Sequence, residues 1–447
     1  MASFLIITVL LSSFTEKWYL DHGTVSNFGR LCIGDTDRDG NYELIFNTHE
    51  YGNGRDYICE LHLPNTWQID SFAYYMDNIV WELGDFDQDG LYDLMIQGYE
   101  DGTPAIPIVV VLESPDSFSY PTQEVWRDTV GGYAFGPTMS YDVDQDGVPE
   151  IIKCEGDPTP QGYEDFVIYE STGDNSYARL FAPVDTTGDG VYSTIAFGDF
   201  ELDGRIEFVL GGEYYYIYES PAGNTYELIV SDYIYPPTIR DCFTVADADR
   251  DGRAEFVIKG FNHFFGYIRA FIFEATVDTV YRILDTMDFY TLYHPNYPGG
   301  FSEAGDVDGD SIPEIVLEAA SYVYIIKSAG NDSFYVWQTL PGNNRGSSVR
   351  VTNDIDGNGY NEIVISGNNQ TRIYEYEPGG IEEARSQRQE VRLDCYPNPF
   401  RNKLDIRYEI GDMRLEILQN PVCSTQTIKS ETRYLQCFRS GRRSIGR

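Results

Sequence analysis

Residues 34–46 read GDTDRDGNYELIF: carboxylates at Asp35, Asp37 and Asp39, a glycine at Gly40, a fourth acid at Glu43, then an apolar run. Counted from Asp35, the acids fall at positions 1, 3, 5 and 9 and the glycine at position 6. The pattern returns at Asp85, Asp87, Asp89 and Asp93, then at Asp142, Asp144, Asp146 and Glu150. It returns again at Asp199, Glu201, Asp203 and Glu207, and at Asp247, Asp249, Asp251 and Glu255. The last two copies are Asp306, Asp308, Asp310 and Glu314, and Asp354, Asp356, Asn358 and Glu362. One copy is a weak signal. Seven copies at intervals of 48 to 59 residues mark a repeat architecture.

The rest of each unit repeats as well. An apolar run follows every acidic loop (LIF, LMI, II, FVL, FVI, IVL, IVI), as expected for strands buried on both faces. A second, aromatic strand comes next: VIYES at Val167, YIYES at Tyr216, FIFEA at Phe271, YIIKS at Tyr324 and IYEYE at Ile373. After a polar turn comes a strand carrying Trp67, Trp126, Tyr177, Tyr226, Tyr281 or Trp337. With the strand entering the loop, each unit has four strands, and four-stranded units at this period predict an all-β, seven-bladed β-propeller. The seventh unit runs into GGIEEARSQRQE, a linker, without its last strand. TEKWYLDHG, with Trp18 lying 17 residues before Asp35, is the expected replacement, so the N-terminal strand closes the ring and removes a free edge.

Alternating acids on a tight loop converge on one point, and oxygen donors at this density suit Ca²⁺. The backbone carbonyl at position 7 adds a further donor. An EF-hand needs a glutamate at position 12, where this chain has Phe46, Ile96, Lys153, Leu210, Ile258, Leu317 and Ile365. A plain hairpin turn needs one Asp-Gly, not four acids at fixed offsets. The expectation is therefore up to seven Ca²⁺ in β-hairpin loops that pin the first hairpin of each blade. Ser311 replaces the turn glycine in the sixth loop, Asn358 an acid in the seventh, and Glu201 lengthens position 3 in the fourth. DTTGDGVYS at Asp185 lacks acids at positions 3 and 9 and is excluded.

Composition agrees with a cation-binding chain. Of 447 residues, 72 are Asp or Glu and 31 Lys or Arg, a net charge of −41. Such a surface repels phosphate backbones, so nucleic acid is not an expected partner. Seven divalent cations would offset about a third of that charge. The seven cysteines show no CxxC pair or framework and read as idle thiols. Residues 4–11 form a short apolar run that reads either as the remnant of a secretory signal (1–13) or as a buried strand.

The loops resemble FG-GAP/VCBS repeats, as in the integrin α-subunit propeller, over about residues 14–377. The resemblance implies metal loops between the first and second strands of each blade. It also implies a secreted or cell-surface binding or adhesion propeller, with a minority of enzymes such as polysaccharide lyases. After a linker at 378–392, CYPNPFRNKLDIRYEI from Cys395 resembles a type IX secretion type A sorting domain (393–447). That implies the type IX machinery as a partner and a bacterial outer surface or exterior as destination. The match fades after Leu418, where the tail turns basic.

Strand alternation puts the metal loops on one face and the connections between blades on the other. Those connections are aromatic: Tyr133 and Phe135, Tyr233 and Tyr235, and Tyr290, Tyr293, His294 and Tyr297. They read either as a recognition surface for a protein or glycan or as caps on the core. Five histidines form no motif, and HExxH, GxSxG and phosphate-loop sequences are absent. A non-catalytic binding module is expected; the alternative is the scaffold of a polysaccharide-degrading enzyme.

Overall fold

Each acidic loop runs into a segment with no polar alternation, and a strand without a polar face must be covered on both sides. The computed structural model of the chain shows this directly. Glu255–Asn262, Glu207–Gly211 and Glu362–Gly367 are buried along their whole length. The structure describes residues 13–21, 30–48, 55–62, 66–73, 79–100, 106–129, 137–154, 166–183, 191, 193–236, 238–262, 266–277, 279–290, 300–319, 321–330, 332–342, 347–367 and 370–378, with five further strands between 394 and 437.

The first unit, Met1–Pro378, contains seven antiparallel four-stranded sheets among the described residues. Blades 1 to 6 take their strands in sequence order, from 32–73, 79–129, 138–181, 196–232, 238–290 and 303–341. Blade 7 has Ser347–Val351, Glu362–Gly367 and Gln370–Glu377, with Ser13–Asp21 as its outer strand. That outer strand begins one residue before the boundary expected from sequence. It runs antiparallel to Gln370–Glu377, with Trp18 opposite Ile373. Lys17 adds ion pairs to Glu375 at 3.3 Å and Glu377 at 2.8 Å. This is a seven-bladed β-propeller, and no helix occurs among its described residues.

The core is distributed around the ring. Seven apolar clusters among the described residues each join two successive blades. Phe243, Val257 and Phe261 of blade 5 meet Ile315 and Leu317 of blade 6. Leu44 and Phe46 of blade 1 meet Val364 and Ile373 of blade 7, with Trp18 against them. Neighbouring blades therefore depend on one another for burial, as repeats that cannot bury a face alone must. Buried and half-buried charges reinforce the joints near closure. Arg30 pairs with Glu82 at 3.2 Å, and Arg350 with Glu303 at 2.7 Å and Glu82 at 3.6 Å, linking blades 6, 7, 1 and 2.

The second unit, Gly379–Arg447, is a five-stranded antiparallel sheet: Asp394–Pro397, Leu404–Ile410, Met413–Leu418, Gln426–Ser430 and Tyr434–Cys437. Strand structure thus continues past Leu418, where the sorting-domain likeness fades.

Candidate metal centres

The first loop shows how the sequence builds the site. Arg38 and Gly40, at positions 4 and 6, both take left-handed backbone, with φ of 57° and 92°. Position 4 is left-handed in every loop: Arg38, Gln88, Gln145, Leu202 and Arg250 lie between 57° and 65°, and Gly309 and Gly357 at 76°. The coil turns loop N–H groups onto one oxygen of each carboxylate. Gly40 donates to Asp35 Oδ2 at 3.2 Å, Asp39 to Asp37 Oδ1 at 3.3 Å, and Asn41 to Asp39 Oδ1 at 2.8 Å. Position 9 is held from behind, since the Thr36 N–H donates to Glu43 Oε2 at 2.5 Å. The same position-2 to position-9 bond recurs for Asp93, Glu150, Glu207, Glu255, Glu314 and Glu362, at 2.7 to 3.3 Å.

The opposite oxygens are left over. Asp35 Oδ1, Asp85 Oδ1 and Asp142 Oδ1 are buried without a hydrogen-bond partner, as are Glu43 Oε1, Asp93 Oδ1, Glu207 Oε1 and Glu255 Oε1. Asp35, Asp37 and Glu43 offer oxygens within 4.8 Å of one another, as do Asp85, Asp87 and Asp93, and Asp142, Asp144 and Glu150. Burial raises the position-9 carboxyls: Glu43, Glu150, Glu314 and Glu362 to about 7, and Asp93, Glu207 and Glu255 to about 8. A buried anion with a spare lone pair is costly unless a cation neutralises it. These oxygens fit a hard divalent cation, and Ca²⁺ tolerates the irregular geometry of seven non-identical loops.

The structure adds ligand candidates that the sequence reading missed. In six blades a glutamate on the third strand lies directly opposite the position-9 acid: Glu60 opposite Glu43, Glu113 opposite Asp93, Glu170 opposite Glu150, Glu219 opposite Glu207, Glu274 opposite Glu255, and Glu375 opposite Glu362. Like charges in direct cross-strand register destabilise a sheet unless a cation offsets them; Arg205, Arg282 and Lys17 already pair with Glu219, Glu274 and Glu375 at 2.5, 3.3 and 3.3 Å. One oxygen, Oε2, of each of Glu113, Glu170 and Glu274 is buried without a hydrogen-bond partner. Glu113 groups with Asp87, and Glu170 with Asp144 and Asp146, at metal-binding spacing. The signal was present as the E of VIYES, YIYES, FIFEA and IYEYE. Cross-strand register was needed to place it.

Neighbouring blades are tied to these loops. The turn between the third and fourth strands of a blade donates a backbone N–H to the position-3 acid of the blade before it. Asn175 reaches Asp87 at 2.6 Å, Asn224 reaches Asp144 at 2.7 Å, Thr279 reaches Glu201 at 2.7 Å and Asp332 reaches Asp249 at 3.2 Å. Glu201, the longer side chain of the fourth loop, keeps this latch. Position-4 side chains reach forward to the next loop: Arg38 to the Gly90 carbonyl, Gln88 to that of Gly147, and Gln145 to that of Gly204 at 3.0 Å. Leu202 cannot, and the chain of contacts breaks there. In the seventh loop the Asn358 amide donates to Glu375 at 2.8 Å.

On the opposite face, Tyr233, Tyr235 and Tyr290 are exposed, Tyr290 by 70%. Tyr233 meets Tyr214 edge-on at 5.6 Å, and the Tyr235 hydroxyl accepts from Asn262 at 2.7 Å. Tyr290 lies 5.9 Å from Tyr267, beside Arg269, which is clamped by Asp288. Tyr214 and Tyr322, also exposed, were not singled out from sequence. Tyr133, Phe135, Tyr293, His294, Tyr297 and, but for Val191 and Ser193, the Asp185 segment lie outside the described residues. Cys32, Cys59, Cys154 and Cys242 are buried thiols outside any disulfide, and burial pushes Cys32 and Cys59 up to about 12, which disfavours their reactive thiolate form.

The sequence matches no family model and no curated protein. Among solved structures, the chain is similar to the WD40 domain of coronin from Toxoplasma gondii, at 10% identity and a TM-score of 0.46, covering 81% of this chain and 87% of that chain.

Proposed function

We propose that this chain is a calcium-stabilised propeller of the FG-GAP/VCBS type, acting outside the cell as a non-catalytic binding or adhesion module. One observation carries the calcium reading: five of the loops leave a carboxylate oxygen of position 1 or 9 buried and unpartnered, and in the first three the acids of positions 1, 3 and 9 offer oxygens within 4.8 Å of one another. Bound Ca²⁺ would supply the positive charge those oxygens lack. Asp35, Asp37, Asp39 and Glu43 would hold it in blade 1, with their equivalents in other blades and the third-strand glutamate completing the donor set. Its role is structural, because the position-3 carboxylate of four loops, Asp87, Asp144, Glu201 and Asp249, also receives an N–H latch from the next blade. Calcium at one loop would therefore order a blade joint as well as a hairpin.

Recognition falls to the opposite face, where Tyr233, Tyr235 and Tyr290 present aromatic rings beside hydrogen-bonding partners, a surface suited to a protein loop or a sugar. The second unit is read as the type IX sorting segment, which would place the propeller on a bacterial surface or release it. Thermal melting of the full chain tests the calcium reading. The expected result is a melting temperature that rises with millimolar calcium over chelator, as ligand linkage requires. No shift at any calcium concentration would refute it. Glycan-array and pull-down binding without turnover would support the binding role, whereas cleavage of a polysaccharide would replace it with a catalytic one.

A further inference from the structure

The third strand of blade 6 reads YIIKS, not YIYES, and with Ile315 opposite Ile326 the register sets Lys327 beside Glu314. Its Nζ lies 2.5 Å from Asp308 Oδ2, 3.1 Å from Asp310 Oδ2 and 3.1 Å from Glu314 Oε1. Three of the loop's four acids thus converge on one ammonium. The fourth, Asp306, is engaged by its own loop: Gly309 and Asp310 donate to Oδ1 at 2.8 and 3.1 Å, and Ser311 to Oδ2 at 2.8 Å. Glu314 Oε1 is the counterpart of oxygens that lie buried and unpartnered in Glu43, Glu207 and Glu255. Asp308 keeps one oxygen, Oδ1, without a partner. Trp337 stacks against the ammonium at 4.4 Å and limits its movement away from the loop. Elsewhere a cationic side chain reaches these acids less fully: Arg205 lies 2.5 Å from Glu219 and 3.8 Å from Asp203 in blade 4, Arg282 3.3 Å from Glu274 in blade 5, and Lys17 pairs with Glu375 and Glu377 in blade 7, whereas Lys327 meets three loop acids at once.

We propose that the sixth loop takes no divalent cation, because Lys327 Nζ stands where the cation stands in the other six. An ammonium is a compact charge with donors only, so it satisfies the carboxylates and repels Ca²⁺ from the same oxygens. The chain then holds six calcium ions and one built-in cation. This rests on the calcium reading above. The sixth loop also receives both neighbours: Arg250 donates to the Asp310 carbonyl at 3.2 Å and the Asn361 amide to the Asp306 carbonyl at 2.8 Å. Blade 6 is thereby a calcium-independent anchor in a ring whose other joints need the metal.

The test is equilibrium dialysis of radiolabelled calcium against the full chain and three variants. The wild type is expected to bind six ions, Asp249→Ala in the fifth loop five, and Asp308→Asn the same number as wild type. Lys327→Glu, which restores the glutamate of the other blades, is expected to bind one more. If Lys327→Glu does not fold, the contrast between Asp308→Asn and Asp249→Ala still decides. Seven ions in the wild type, or a lower count in Asp308→Asn, would overturn the inference and leave the calcium reading intact. No bound calcium in any protein would refute the calcium reading and this inference with it. Hydrogen exchange in chelator gives a second reading: amides of the sixth loop are expected to stay protected while those of the first and second exchange. Equal loss of protection in all three would also overturn the inference.

Discussion

Replacing Glu255 by glutamine separates a metal ligand from an ordinary buried acid, because the sign of its effect depends on calcium. Glu255 is fully buried; Oε2 accepts the Ala248 N–H at 2.9 Å, Oε1 has no partner, and Glu274 lies opposite. Glutamine keeps the shape and the acceptor for Ala248, but it loses the charge and sets an NH₂ where a cation would be held. With calcium a hundredfold above its dissociation constant, losing one site removes up to about 2.7 kcal/mol. In chelator at pH 9 the direction reverses. The wild-type carboxyl, raised to about 8 by burial, is then ionised with an unsatisfied oxygen, and removing that charge returns about 1–3 kcal/mol. A unit of this size shifts by roughly 1–2 °C per kcal/mol, from an unfolding entropy of about 2.1 cal/mol/K per residue. Differential scanning calorimetry should show Glu255→Gln melting several degrees lower than wild type in calcium and a few degrees higher in chelator. Equal destabilisation in both would refute the reasoning and make Glu255 a structural acid only.

Other outcomes follow from the same geometry. In metal-free protein the position-9 carboxyls bind protons more tightly folded than unfolded, with values of about 7 to 8 against ordinary carboxylate values. The stability they confer is complete below the unfolded values and lost as pH rises through the folded ones, so melting temperature in chelator should fall between pH 6 and 9; saturating calcium should flatten that slope. Asp144→Ala removes the acceptor for the Asn224 N–H and should lower stability by about 1 kcal/mol even in chelator, read by urea denaturation. Deleting residues 1–21 removes the outer strand of blade 7 and uncovers the edge of Gln370–Glu377; light scattering should report association that the intact chain lacks. Tyr233→Ala and Tyr290→Ala should leave the melting temperature unchanged and abolish binding of a partner found by glycan array or pull-down.

Most of the fold was legible because the repeat carried its own punctuation. Asp-x-Asp-x-Asp-Gly, or a single substitution of it, marked each hairpin, and the apolar run after it could only be a doubly covered strand. Trp18, spaced from Asp35 as Trp337 is from Asp354, pointed to the strand that completes blade 7. The donor set was only partly legible. Position 9 announced itself by its fixed offset from the loop, but Glu60, Glu113 and Glu274 sit on another strand, at separations set by hairpins of different length. Their role emerged from register, which depends on turn geometry and bulges more than on spacing. The left-handed residue at position 4 was hidden because five loops place a side chain, not glycine, at that point. The latches from Asn175, Asn224 and Thr279 use backbone N–H groups about eighty residues away and leave no side-chain signature. The replacement of glutamate by lysine at position 327 was plain in YIIKS, but its meaning required knowing what lay across from it.

The most direct test of the account is a calcium anomalous difference map from crystals of the full chain grown in millimolar calcium. A peak is expected in every loop but the sixth, beside the position-1 and position-9 carboxylates and facing the third-strand glutamate, with Lys327 Nζ in its place in the sixth. Loops without anomalous density at saturating calcium, their acids turned out to solvent, would contradict it.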